Sequence, residues 1–312
     1  MTGPARPHRV LSTSVGTHLG AFGRVEWALL AGTAVIWGSS FLLMEIGLRS
    51  LQPAVVSLCR VGLGAATLAL VPQARRGRVE RRDLAAVAVL GVAWMGIPLL
   101  LFPLAQQWID SSVAGMINGA MPLTVAAWAA VLLHRRPGPT QAVGLLVGFL
   151  GVTAIALPQL PVGALADGTA ATALGTGLVL TAMVLYGLAA NLAVPLQQRY
   201  GALAVLLRAE LAALVVIAPF GLASLGASTF TWEAVAAMLP LGILGTALGF
   251  VLMTTLVGRV GGPRGSIATY FVPVVAMLLG VVALGEVVHP AALVGLALVL
   301  VGAWITSRRE PH

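Results

Sequence analysis

The chain has 312 residues, of which 59% are hydrophobic and 9% charged, and its mean hydropathy is +0.98. A soluble domain carries roughly 25% charged residues, so this composition excludes a soluble globular protein of that length. The net charge of +8 does not point to nucleic acid: all 18 basic residues are Arg, set mostly in short segments between apolar runs, where they act as topology signals.

The first 24 residues are polar, carry Arg6, Arg9 and Arg24, and lack an apolar run of signal-peptide length. The first long apolar run has no small-residue cleavage site after it and is expected to be retained. Ten apolar spans are predicted, at roughly 26–47, 53–72, 84–108, 111–133, 139–157, 170–197, 202–222, 232–258, 264–285 and 290–307. Each is near the ~20 residues that a helix needs to cross ~30 Å of hydrocarbon. Only helices and closed barrels satisfy their backbone groups in lipid, and barrel strands would alternate over about ten residues. The expected fold is therefore an all-α polytopic membrane protein. Pro137-Gly138-Pro139 and Gly261-Gly262-Pro263 are tight turns between antiparallel neighbours. The single cysteine, Cys59, lies within a span, so no intramolecular disulfide can form.

The stretch from Gly91 to Ile155 occurs twice. At an offset of 151, Gly91 meets Gly242, Pro122 meets Pro273, Pro139 meets Pro290, Val143-Gly144-Leu145 meets Val294-Gly295-Leu296, and Gly151 meets Gly302. Upstream the offset slips to 148 or 149, setting Trp37-Gly38 against Tyr186-Gly187 and Arg60 against Arg208. This predicts an internal duplication, with repeats at 1–157 and 158–312 separated by the loop 158–169. With the N-terminus inside, fifteen Arg fall in inner segments and only Arg49 in an outer loop, which places both termini in the cytoplasm. Trp27 and Trp304 sit at inner ends, Trp108 and Trp232 at outer ends. Five spans per copy is an odd number, so the second copy runs upside down. Ten transmembrane helices as two inverted five-helix repeats form an architecture of transporters, with the site near the midplane between the copies.

Trp37-Gly38-Ser39-Ser40-Phe41 in the first span resembles the opening signature of the EamA-type transporters, within the drug/metabolite transporter superfamily. Arg60, Pro122, Pro273 and Gly285-Glu286 are similar to positions that recur in that family. The resemblance covers about residues 26 to 307. It implies an inner-membrane, multi-pass carrier of small metabolites, such as amino acids or related compounds, often an exporter. The chain departs from the pattern where His134-Arg135 stands in the first copy against Gly285-Glu286 in the second.

Candidate site residues follow from polarity within the spans. A charge in a span is costly and should face the bundle interior. Arg60 either meets an anionic substrate group or pairs structurally with Glu45; Arg208 and Glu210, two apart, point away from each other. Thr33, Trp37, Ser40 and Met44 share one face of span 1; Ser266, Tyr270, Pro273 and Met277 share one of span 9. Gly115, Asn118, Gly119 and Pro122 group in span 4. Trp37, Ser40, Arg60, Asn118, Tyr186, Asn191 and Tyr270 are expected to line one central cavity and bind substrate, helix-to-helix hydrogen bonding being the other reading of each. Pro122 and Pro273 kink mirrored spans. The G-x-x-x-G pairs at Gly115/Gly119, Gly144/Gly148 and Gly245/Gly249 are a homodimer face or close packing within one subunit. His8, His18, His134, His289 and His312 lie in tails or at span ends, giving an intramembrane serine hydrolase no base. No metal or other cofactor is expected. An intramembrane enzyme and a channel remain the alternatives to a carrier.

Overall fold

The structure, a computed structural model, describes residues 20–109, 111–134, 137–156, 170–275, 278–279 and 290–308. Every regular element among them is helical. In chain order they are α1 (Arg24–Leu48), α2 (Pro53–Leu70), α3 (Arg81–Ala105), α4 (Ser111–Asn118), α5 (Met121–Leu133), α6 (Pro139–Ala156), α7 (Ala170–Tyr200), α8 (Ala202–Ala223), α9 (Trp232–Val260), α10 (Gly262–Gly265) and α11 (Pro290–Ser307). α1, α2, α3, α7, α8 and α9 are long and apolar enough to cross a membrane. The predicted span 111–133 is divided at Gly119-Ala120 into α4 and α5. Span 264–285 is described through residue 275 and at 278–279, as α10, a 3-10 stretch, Ser266–Phe271, and helical residues after it. Met277, Gly285, Glu286 and His289 lie outside the described residues, as do Asp110, Arg135, Arg136 and Asp167.

Large apolar side chains point outward, among them Leu70, Val131, Val215 and Leu293. Lipid tails are as apolar as these side chains, so helix association rests on close packing, and small residues at the crossings permit it. Gly144 faces Thr306 and Gly302, and Gly151 faces Gly295 and Val299, so α6 and α11 cross antiparallel with their backbones nearly touching. Gly148 lies under the Tyr270 ring. Gly245 and Gly249 admit Ser40 and Trp37 of α1. These two G-x-x-x-G pairs thus pack within the subunit, while Gly115 borders open space.

The contacts come in exchanged pairs. Gly144 meets Gly302 in one half-to-half contact, and their equivalents, Gly295 and Gly151, meet in another. Gly38 packs on Val275, and their equivalents, Gly187 and Thr124, also pack together. Gly242 sits against the Arg60 carbonyl and Leu63; Gly91 sits against the backbone of Ala209. Two π-helical stretches obey the same exchange. Val92–Gly96 in α3, moved by 151, falls inside Leu241–Leu248 in α9. A proline flanks each, Pro98 two residues after the first and Pro240 directly before the second.

One end of the bundle gathers charge. Glu26 at the start of α1 binds Arg259 of α9 at 2.6 Å, and Arg264 caps the carbonyls of Gly20 and Ser307. Asp83 at the start of α3 accepts from Arg199 and from the Tyr200 hydroxyl at the end of α7. Arg208 donates to the carbonyls of Ala74, Gly77 and Ala204, turned away from Glu210 as their spacing requires. The opposite end is tied by neutral bonds: Ser50 with Thr231, the Thr229 N–H to Ser50, and the Gln52 N–H to Ser228.

Candidate functional site

The buried face of α1 carries Thr33, Trp37, Ser40 and Met44, spaced three and four apart. Trp37 Nε1 donates to the Gly245 carbonyl at 3.1 Å, which fixes the indole against α9. Its ring meets Phe250 edge-on, 5.2 Å between centroids, and Phe250 in turn meets Trp94 at 5.6 Å. Phe41 meets Phe102 at 5.9 Å, and Phe102 lies 6.0 Å from Tyr186. Trp37, Phe41, Phe102 and Phe250, with Met44, wall a narrow cavity of about 30 Å³, into which Ser40, Arg60, Asn118 and Tyr186 also reach. Of the seven predicted site residues, five therefore converge: Trp37, Ser40, Arg60, Asn118 and Tyr186.

Their polar atoms are engaged to different degrees. Ser40 Oγ donates to the Ile36 carbonyl of its own helix at 2.8 Å. Arg60 is 7% exposed and uses Nε alone, donating to Thr246 Oγ1 at 3.0 Å. Thr246 Oγ1 donates onward to the Leu241 carbonyl at 3.2 Å, five residues back, an arrangement the π register permits. Both Nη atoms of Arg60, the Asn118 amide and the Tyr186 hydroxyl make no hydrogen bond to the described residues. These polar atoms open onto the cavity, and three such groups facing one space are a prepared polar site. Asn118 owes its position to the turn at Gly119-Ala120, which ends α4 there.

The expected structural pair of Arg60 with Glu45 is corrected. Glu45 lies one residue past Met44, about 100° around α1, and points away from the cavity; it reaches Arg49 at 3.7 Å, with both side chains at least half exposed. Among the described residues Arg60 has no carboxylate partner. Asn191 and Tyr270 stand apart from the cavity. Asn191 donates to the Val125 and Gly187 carbonyls, each at 2.9 Å, tying α7 to α5. Tyr270 donates to the Leu145 carbonyl at 2.6 Å, tying the 3-10 stretch to α6. Sequence reasoning missed Thr246, Phe41, Phe102 and Phe250. Thr246 had a signal, a hydroxyl inside an apolar span; the three phenylalanines had none that separates a wall from a lipid-facing ring.

A wider recess opens beyond Met44, lined by Leu43, Ile46, Arg49, Ser50, Thr231, Glu233, Ala236 and Ala237. It lies at the end of the bundle opposite the charged cluster.

Comparison with known proteins gives three findings. A family model described as the EamA-like transporter family matches residues 26–157 and again residues 173–308. A protein of Streptantibioticus cattleyicolor named a probable terminal-alkyne amino-acid exporter is 32% identical, over 92% of this chain and 94% of that protein; an uncharacterized transporter of Archaeoglobus fulgidus is 25% identical, over 91% and 99%. A crystal structure superposes with a TM-score of 0.72 at 18% identity, covering 90% of this chain and 95% of that one, a likeness of fold.

Proposed function

The chain belongs to the EamA-like transporter family, and from that premise we propose that this multi-pass membrane transporter exports small amino acids or related zwitterions by alternating access. The observation that carries the reading is the cavity itself. The free Nη pair of Arg60 suits a carboxylate held by two parallel bonds. The Asn118 carbonyl oxygen and the Tyr186 oxygen are acceptors for an ammonium group. Trp37, Phe41, Phe102 and Phe250 form an apolar wall for a side chain, and a mostly apolar cleft with a few convergent polar groups is how small-molecule sites are built. The name of the Streptantibioticus relative fits this substrate class.

The two halves act as inverted repeats that rock about the cavity. The exchanged glycine contacts, the antiparallel crossing of α6 and α11 and the twofold match of the family model support that arrangement. The end carrying Arg199, Arg208, Arg259 and Arg264 faces the cytoplasm of a cell bounded by an inner (plasma) membrane, in keeping with the excess of Arg in inner segments. The recess beyond Met44 is then the outer vestibule. In a Cys59→Ser background, Arg78→Cys should label only from the cytoplasm and Ala227→Cys only from outside; same-side labelling would sink the inverted model.

The experiment for function is flux. Purified protein in sealed liposomes should take up zwitterionic amino acids with apolar side chains saturably and with mutual competition. Absence of saturable uptake for every amino acid in the panel overturns the reading, and turnover of a substrate into a new compound would replace it with an enzyme.

A further inference from the structure

Glu210 is the buried acid that the cavity leaves unexplained. It is 0% exposed, and neither carboxyl oxygen has a hydrogen-bond partner among the described residues. It sits on α8, about 12 Å along the helix from Ala202 at 1.5 Å per residue. Its carboxyl lies beside Gly64 of α2: a Cβ there would be 3.1 Å from Glu210 Oε2 and 2.9 Å from Thr246 Cγ2. Arg60 is one turn from Gly64 on the same face of α2 and already holds Thr246. Arg60, Thr246 and Glu210 therefore lie in a row, and because position 64 has no side chain, nothing of α2 stands between them.

The other ionisable groups on the elements around α8 are occupied or turned elsewhere. Arg208, on α8 itself, is spent on the carbonyls of Ala74, Gly77 and Ala204. Arg75 and Arg76, in the short helix Pro72–Arg76, are exposed. Arg199 and Tyr200 bind Asp83, Arg259 binds Glu26, and Tyr186 lines the cavity. Cys59 on α2 is half-buried, and α3 has no ionisable residue after Asp83. The cation at the other end of the row, across Thr246, is Arg60.

A carboxylate cannot stay ionised in such a place without a cation, because an unpaired buried charge costs several kcal/mol. Arg60 turned across Thr246 toward Glu210 would no longer present its Nη pair to the cavity. We propose that Glu210 is a proton-binding site linked to the cavity: ionised Glu210 draws Arg60 across Thr246 to itself, and protonation of Glu210 frees Arg60 for the substrate carboxylate. The step is a proton transfer from solvent to one Glu210 oxygen, and it exchanges one anion on Arg60 for another. Substrate and proton then bind together. By linkage, substrate binding takes up as much as one proton, and affinity weakens by up to tenfold per pH unit once Glu210 is ionised in the empty carrier.

This inference rests on the reading of the cavity as an amino-acid site with Arg60 as its anion holder. The probes are L-leucine and leucinol, which lacks the carboxylate, titrated calorimetrically into purified protein in buffers of different ionisation enthalpy. Wild type should take up a proton with leucine and none with leucinol. Glu210→Gln, an isostere of the protonated acid, should bind leucine with no proton uptake and with an affinity that does not change with pH. A protonated-carboxyl infrared band should appear when leucine is added to wild type and be absent in Glu210→Gln, whether or not that variant transports. Leucine binding with identical proton uptake in both proteins overturns the linkage and leaves the cavity reading standing. Binding that Arg60→Ala does not weaken overturns both.

Discussion

Arg60→Ala should abolish saturable amino-acid uptake while leaving the folded carrier intact. The argument rests on how few bonds the guanidinium makes. It spends Nε on Thr246 and keeps both Nη atoms toward the cavity. Truncating one partner of a buried, hydrogen-bonded charge pair costs about 2–5 kcal/mol, so substrate affinity should fall roughly 30- to 4,000-fold at about 1.4 kcal/mol per tenfold. Stability should respond differently. Had Arg60 been paired with Glu45, its removal would strand a buried anion at about 3–5 kcal/mol. Glu45 is instead half exposed and bound to Arg49, and Glu210 takes up a proton where Arg60 is absent, so at a pH where Glu210 is protonated Arg60→Ala should melt within a few degrees of wild type. Arg60→Lys should recover part of the affinity, since it restores the charge without the planar fork. Binding measured on detergent-solubilised protein, beside its melting curve, separates the two effects. Loss of folded protein with no change in affinity for what remains would return Arg60 to a structural role.

Much of this site was legible because periodicity and charge are properties of the sequence. The face Thr33, Trp37, Ser40 and Met44 follows from helical spacing alone, and it is buried as spacing requires. Arg60 is conspicuous as a charge within a span. Its partner was not legible, because that depends on which face of α1 looks inward, and Glu45 lies just past the edge of that face. Asn191 and Tyr270 show the same limit: a polar side chain in a span must be satisfied, but sequence does not say whether by a substrate or by the carbonyl of the next helix. Asn191 is five residues from Tyr186, about 140° around the helix, and that turn carries it from the cavity to Val125. The recurring glycines and prolines were legible as an offset of 151. The π stretches at Val92–Gly96 and Leu241–Leu248 were not, since a proline nearby marks many kinds of irregularity. Yet they decide the site, because the second one brings Thr246 to Arg60 and the Gly245 carbonyl to Trp37.

Gly302→Leu should be among the most damaging single changes outside the cavity. A Cβ at this position would lie 2.6 Å from Gly148 Cα, with the Gly144 carbonyl oxygen at 2.7 Å. Those obstacles are backbone, which cannot rotate away as a side chain would, so α6 and α11 must separate along their whole crossing. Overpacking usually costs about 1–3 kcal/mol where side chains can adjust, and here the cost should exceed that range. The repeat-related substitution Gly151→Leu meets the Gly295 carbonyl oxygen at 2.8 Å and the Val299 N–H at 2.6 Å, so it should fail in the same way. Gly177→Leu supplies the control, because a Cβ there meets nothing within 4 Å and the residue is exposed on α7. Melting curves and detergent gel filtration should show Gly302→Leu and Gly151→Leu strongly destabilised and Gly177→Leu near wild type. The outcome also separates the two readings of the small-residue motifs. If α6 and α11 were instead a surface for a second copy, Gly302→Leu would shift the oligomer on gel filtration and keep its melting temperature, and the antiparallel crossing described here would be wrong.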